Sequence, residues 1–521
     1  VGWLNIHNQE VIKLRSNGVL MHISSLPSEY GIGTLGKEAK EFADYLNRAR
    51  IEYWQILPIG PTSYGDSPYQ SFSSFAGNPY FIDLNSLCEA GLLTYDECRN
   101  TYWGDRADRV NYANMYEKRF PILWKACDNF RNVINPQSDN YRQDDKESFD
   151  IFLRDNKSWI DDYALFMALK DAHEGRAWFE WEDDIKRREQ DAINEANNKY
   201  AREIDNYRIV QYFFDKQWNE FREYLKEKEV KLIGDVPIYV AYDSVEVWKE
   251  PELFALDRNL EQKEVAGCPP DYFNEDGQLW GNPIYNWKKM EKDNFAWWMR
   301  RLRRVFDMHD VVRIDHFRGF SSYYSIDGKA ENARNGKWIK GPGIKVFEQL
   351  KKELGNPQII AEDLGFLTED VFKLLDETGY PGMKVLQFAF DAGDGSNIYM
   401  PHNYNRNAVV YTGTHDNETT LGWLQNTSDW VRTNTFRYLN VTDSEGWVWG
   451  LIRAAHSSVA DLSVIQMQDY LSLGNDCRMN TPSTIGGNWE WRITREMLSD
   501  GLNDRIKEMN YRFGRASYGE K

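Results

Sequence analysis

The sequence predicts an α/β protein built on a TIM (β/α)8 barrel, with helical and loop insertions between its strands. Three observations predict it. Short apolar runs that read as buried strands alternate with segments of helical period along most of the chain. Three of these runs deliver acids at their ends: V-V-R-I-D at Val311–Asp315, Q-I-I-A-E at 358–362, and A-V-V-Y-T at 408–412 followed by G-T-H-D-N-E. In a parallel barrel the C-terminal strand ends converge on one face, where active sites are built. Finally, 521 residues suffice for a barrel with insertions, and no internal repeat or low-complexity linker divides them.

The elements follow in order. Residues 17–23, N-G-V-L-M-H-I, read as the first strand. The loop after it holds Gly31-Ile32-Gly33-Thr34-Leu35-Gly36, a literal G-x-G-x-x-G. Residues 24–30 separate it from the strand, whereas a dinucleotide fingerprint needs its glycines directly after the strand, so a Rossmann reading is set aside. Residues 37–49 place Ala39, Phe42, Ala43 and Leu46 at helical spacing. Residues 53–57 read as the second strand, stopped by Pro58. The Gly-, Pro-, Ser- and Tyr-rich loop 60–79 displays Tyr64, Asp66, Tyr69 and Gln70, and loops of this length are often functional.

Residues 81–229 interrupt the rhythm and read as an inserted, mainly helical subdomain with solvated charged faces. Within it, 182–228 read as one or two long helices on the apolar stripe Ile185, Ile193, Ile204, Ile209 and Phe213. The barrel then takes 1–80 and 230–521. Residues 231–236 are its third strand, with Asp235 near the end and Pro237 as the stop. A loop insertion at about 241–294 carries P-P-D-Y-F at 269–273 and Q-L-W-G-N-P at 278–283. A helix over 295–308 leads to the fourth strand, Val311–Asp315. Strands five to eight are expected at 358–362, 383–388, 408–412 and near 464–467.

Composition excludes several classes. A net charge of −18 repels phosphate, against nucleic acid or an anionic membrane as partner. No run of about 18 apolar residues offers a transmembrane helix, and mean hydropathy is −0.68. Residues 1–16 carry charges and lack the apolar core of a secretory signal. Cys88, Cys98, Cys127, Cys268 and Cys477 are odd in number and widely spaced, which points to reduced thiols and a cytoplasmic location. No zinc-ligand spacing, H-E-x-x-H, Walker A loop or G-x-S-x-G elbow occurs, so neither metal nor cofactor is expected. Aromatic residues make up 15%, including 20 Trp and 30 Tyr. Beyond filling a core, aromatic faces stack on the C–H faces of sugars while carboxylates and amides bind the hydroxyls.

Period-two alternation puts Arg313 and Asp315 on one face of their strand, and Val312, Ile314 and His316 on the other. Arg313 is expected to hold Asp315 ionised. On those ten residues alone, a structural ion pair and a catalytic one fit equally. Cleaving a glycosidic bond with retention needs two carboxyls, one an ionised nucleophile and one a protonated acid. Asp315 suits the first role. Glu362 suits the second, because burial near other carboxylates keeps its proton on. Asp416 is a third acid, able to bind sugar hydroxyls and favour an oxocarbenium-like ring, with His415 beside it as a donor.

The motifs R-I-D-H-F-R (313–318), A-E-D-L-G (361–365) and T-H-D-N-E (414–418), with Y-G-D-S-P-Y-Q-S-F-S (64–73) and P-P-D-Y-F (269–273), resemble those of glycoside hydrolase family 77. These are the 4-α-glucanotransferases, amylomaltases or disproportionating enzymes, of the α-amylase clan, and the resemblance runs over about 18–492. It implies Asp315 as nucleophile, Glu362 as acid/base and Asp416 as transition-state stabiliser, supported by Arg313 and His415. It implies glucose contacts at Tyr64 and Tyr69, with Asp66 in the same motif, and sugar-binding positions at Asp271, Gln278 and Trp280 in a loop arching over the site. The implied reaction moves α-1,4-glucan segments from a maltooligosaccharide or maltodextrin donor to the 4-hydroxyl of glucose or another glucan. Two other readings stand beside it: a retaining α-glucan hydrolase, and a non-catalytic glycan-binding protein. The intact acid set argues against the binding protein, and the motif loops argue against the hydrolase.

Overall fold

The apolar runs end up side by side because each can bury both faces only between neighbouring strands and an outer layer of helices. In the computed structural model, residues 15–517 are described, apart from 64, 271–274 and 366. The strands are β1 (Ser16–Leu20), β2 (Tyr53–Gln55), β3 (Lys231–Pro237), β4 (Glu264–Cys268), β5 (Gln278–Pro283), β6 (Val311–Asp315), β7 (Ser322–Asp327), β8 (Lys337–Lys340), β9 (Gln358–Ala361), β10 (Gly382–Val385), β11 (Ala408–Tyr411) and β12 (Leu462–Gln466). Eight of them close into a parallel barrel in the order β1-β12-β11-β10-β9-β6-β3-β2.

Register places the chemistry. Ile314 pairs with Ala361 across β6 and β9, so Asp315 and Glu362 emerge next to each other on one rim. The Glu362 backbone N–H donates to the Ile314 carbonyl at 3.0 Å. Asp235 pairs with Arg313 across β3 and β6. The early glycines serve packing. A Cβ on Gly33 would sit 1.8 Å from the Ile23 carbonyl oxygen, so only glycine lets the loop cross there.

Between β2 and β3 the chain is helical. The segment expected as one or two helices holds three: Asp183–Lys186, Gln190–Lys199 and Ala201–Glu227. A left-handed residue, Arg188 (φ 56°), ends the first, and Tyr200, at φ −108° and ψ 25°, breaks the second from the third. The long third helix binds this region to the barrel. Phe221 packs edge-on against Trp54 of β2, centroids 5.7 Å apart. Gln211 both accepts from the Gly77 N–H and donates to its carbonyl, each at 2.8 Å.

The insertion at about 241–294 is more ordered than a loop. It contains β4 and β5, which join β7 and β8 in an antiparallel sheet of order β5-β4-β7-β8. The reason it escapes a linear reading is physical. β4 (E-V-A-G-C) is short and glycine-bearing, and it is stabilised by pairing such as Val265 with Ile326, far along the chain. Among the described residues no helix is long and apolar enough to cross a membrane.

Candidate active site

Three acids stand at the C-terminal mouth of the barrel, on the wall of a cavity of about 1540 Å³. β6 ends in Asp315, and its carboxylate meets Arg313 Nη2 at 2.8 Å. The other side of the same guanidinium, Nη1, donates to both oxygens of Asp235 at 2.7 and 2.8 Å. One buried cation therefore serves two carboxylates, which holds Arg313 firmly protonated.

Burial first, and this sharing second, correct the expected titration of Asp315. Burial pushes its carboxyl up; Arg313 pulls it down but is divided; Asp235 and Asp416 push it up again, and it stands at about 6. Its side chain is still 29% exposed, open to the cavity. Glu362, only 8% exposed, goes further. Burial and then the Asp315 charge raise it to about 8, against Arg313 and two backbone donors. Those donors are the His316 N–H at 2.7 Å and the Leu364 N–H at 2.8 Å. At neutral pH the pair therefore carries one proton, held on Glu362, and one negative charge, held on Asp315.

Asp416 behaves in the opposite way. Burial pushes it up, but His415 Nε2 at 3.3 Å and the Asn480 amide at 2.6 Å more than offset this, leaving it well below the usual carboxylate range. Burial pulls the His415 imidazole down, yet the Asp416 charge outweighs it and holds the ring above its ordinary value. The three acids thus differ in state: one protonated, one ionised near its titration point, one firmly ionised.

Around them the walls are aromatic. Tyr69 stacks on His415 with centroids 5.1 Å and planes 13° apart, and its hydroxyl donates to Asp235 at 2.8 Å. Burial raises that hydroxyl well above its ordinary value, so it remains a donor. Trp280 of β5 lies edge-on to His316 at 4.8 Å and donates to Gln278 Oε1 at 3.0 Å. Of the sequence-derived candidates, Tyr69, Gln278, Trp280, Arg313, Asp315, Glu362, His415 and Asp416 line this one cavity. Asp66 does not. It sits between two wall residues, Gly65 and Ser67, and its carboxyl, raised by burial and Glu490, stands at about 6. Tyr64 and Asp271 lie outside the described residues.

Several wall residues escaped the linear reading. His316, expected on the far face of its strand, lines the cavity as well. Its φ of 53° breaks the alternation at the strand end, and this left-handed turn lets its N–H reach Glu362. Trp489, at φ 64°, brings its ring within 5.9 Å of both Tyr69 and His415. Two strained non-glycine residues at one site fit a functional constraint rather than a packing accident. Asp235 was visible as a strand-end acid, but nothing local ties it to Arg313. Asn480 carried no signal. Among the described residues no group of three or more His, Cys, Asp or Glu is arranged to hold a metal ion.

Known proteins resemble this chain over nearly its whole length. The profile of glycoside hydrolase family 77, described as 4-alpha-glucanotransferase, matches residues 21–498. The 4-alpha-glucanotransferase of Clostridium butyricum is 48% identical over 95% of this chain and 100% of its own. That of Thermus thermophilus is 43% identical over 95% and 98%. Among solved structures, an amylomaltase from Streptococcus agalactiae in complex with acarbose superposes with a TM-score of 0.93 at 42% identity, over 96% of this chain and 100% of that one.

Proposed function

The chain belongs to glycoside hydrolase family 77, the 4-alpha-glucanotransferases, and from that premise we propose how its residues divide the work. Asp315 attacks the anomeric carbon of a bound α-1,4-glucan. Glu362 gives its proton to the departing glycosidic oxygen, and a glucosyl ester forms on Asp315. Asp416 holds sugar hydroxyls and favours the charge that develops on the ring. Glu362, now ionised, takes the proton from the 4-hydroxyl of glucose or another maltooligosaccharide. That oxygen displaces Asp315, and the configuration is retained. Arg313 keeps Asp315 ionised enough to attack, and His415 supports Asp416.

The observation that carries the reading is the placing of Asp315, paired with Arg313 at 2.8 Å, and the buried Glu362 on adjacent strand ends of one cavity wall, with Glu362 pushed up to about 8 and Asp315 to about 6. Transfer outruns hydrolysis when an acceptor is held in place and water is kept from the ester. Tyr69, Gln278 and Trp280 supply aromatic and amide groups for both tasks. Tyr64, Asp66 and Asp271 belong to the same two loops and are assigned to sugar binding with them. The donors are maltooligosaccharides and maltodextrin, with glucose as the smallest acceptor. The barrel is assigned to 1–80 and 230–521, and the helical subdomain to 81–229. A cytoplasmic location fits five cysteines of which none is in a disulfide.

The test is direct. Glu362→Gln given α-maltosyl fluoride, whose leaving group needs no proton, should accumulate a maltosyl ester on the peptide carrying Asp315. An ester on another carboxylate, or none while turnover on fluoride and on maltotriose falls equally, overturns the assignment.

A further inference from the structure

The rim of the cavity carries an aromatic side chain that the chemistry does not use. The helix Asp429–Leu439 begins at that rim, where its Val431 lines the cavity. Trp430, Asn434 and Tyr438 recur on it at every fourth position and form one stripe. The far end of the stripe is anchored to the loop after β10. Asn434 Nδ2 donates to the Phe390 carbonyl at 3.3 Å, and the Tyr438 ring lies 5.8 Å from the Phe390 ring. Tyr438 also shares a 2.7 Å hydrogen bond with His402 Nδ1.

Trp430, at the near end, is 53% exposed, the most exposed tryptophan among the described residues. Its side chain has no hydrogen-bond, ion-pair or ring partner among them. An indole left in water at a fixed position has lost the contacts that usually justify a tryptophan. Its neighbours along the chain belong to the cavity wall. Thr427 and Val431 on its own segment line the cavity, as do Phe388 and Asp391 on either side of Phe390. Phe388 is itself 37% exposed. Trp430 is thus the chain neighbour of the cavity-lining Val431, three residues on from the cavity-lining Thr427.

We propose that Trp430 is a stacking platform for a glucose unit of an α-1,4-glucan chain where the chain leaves the cavity, and so sets a preference for long chains. The inference rests on the reading that the cavity holds glucan. A flat indole offers the C–H face of a glucose ring an apolar surface and needs no hydrogen-bond register. That suits a chain sliding through in units of one sugar. A short donor that ends inside the cavity never reaches it.

The experiment compares Trp430→Ala, Trp430→Phe and the unaltered chain on maltotriose and on amylose. Trp430→Ala should raise KM for amylose about five- to tenfold, the loss expected when part of an indole is no longer covered by sugar. Its kcat, its KM for maltotriose and its thermal midpoint should stay unchanged. Trp430→Phe should recover much of the loss. Equal KM values for amylose in Trp430→Ala and the unaltered chain overturn the proposal, and so does a rise that is the same for maltotriose. If the unaltered chain fails to redistribute maltotriose at all, it is the reading of the cavity that falls, not the role of the rim.

Discussion

Asp235→Asn tests the sharing of Arg313. Arg313 contacts Asp235 at 2.7 and 2.8 Å through one nitrogen and Asp315 at 2.8 Å through the other. Asp315 titrates near 6 instead of its ordinary 3.8, which corresponds to about 3 kcal/mol against its ionised form. Burial is the largest cause, Arg313 opposes it, and the Asp235 charge adds to the rise. Removing that charge leaves Arg313 to Asp315 alone, while asparagine can still accept from Arg313 and Tyr69. The acid limb of kcat/KM for maltotriose should therefore move from about 6 to about 5. The alkaline limb, set by Glu362 near 8, should move less, because Glu362 titrates when Asp315 is already ionised. Losing one partner of a buried ion pair costs about 3 kcal/mol in stability, so thermal unfolding must show that the variant is folded across the range. An acid limb that stays in place or moves upward in a folded variant refutes the account of charge sharing.

Two further substitutions probe the acid and the wall. Glu362 keeps its proton up to about 8 when folded but loses it near 4.5 when unfolded. The folded state thus binds more protons in that window, and this group costs stability as pH rises through it. Glu362→Gln has no such proton, so its thermal midpoint relative to the unaltered chain should improve from about pH 5 to about pH 8 and then level off; a difference flat with pH contradicts the raised Glu362. Trp280→Ala removes an indole packed 4.8 Å from His316 on the cavity wall. It should raise the ratio of new reducing ends to glucose released from maltotriose several-fold by admitting water to the ester, and an unchanged ratio counts against Trp280 as a barrier to water.

The linear sequence determined the barrel and the identity of its acids. Strand β6 falls on Val311–Asp315, as its alternating pattern indicates. Asp315 and Glu362 were each legible as strand-end acids because an apolar run that stops in a polar residue is a local signal, and the pairing of β6 with β9 sets them side by side. Tyr69, Gln278 and Trp280, flagged in the sequence by motifs of consecutive residues, line the cavity. Only the tertiary structure decided how those acids titrate and what stands opposite them. Asp235 lies 78 positions from Arg313, yet it takes half of the guanidinium. Burial raises Asp315 against the direction expected from Arg313, and the Asp235 charge adds to that rise. The antiparallel sheet of β5-β4-β7-β8 is likewise held by pairings between distant segments, and Trp489 reaches Tyr69 only through a left-handed turn. Strand periodicity is set by neighbours one and two residues away. The energy of a charge is set by everything within a few ångströms, and in a closed barrel most of that is brought in from elsewhere in the chain.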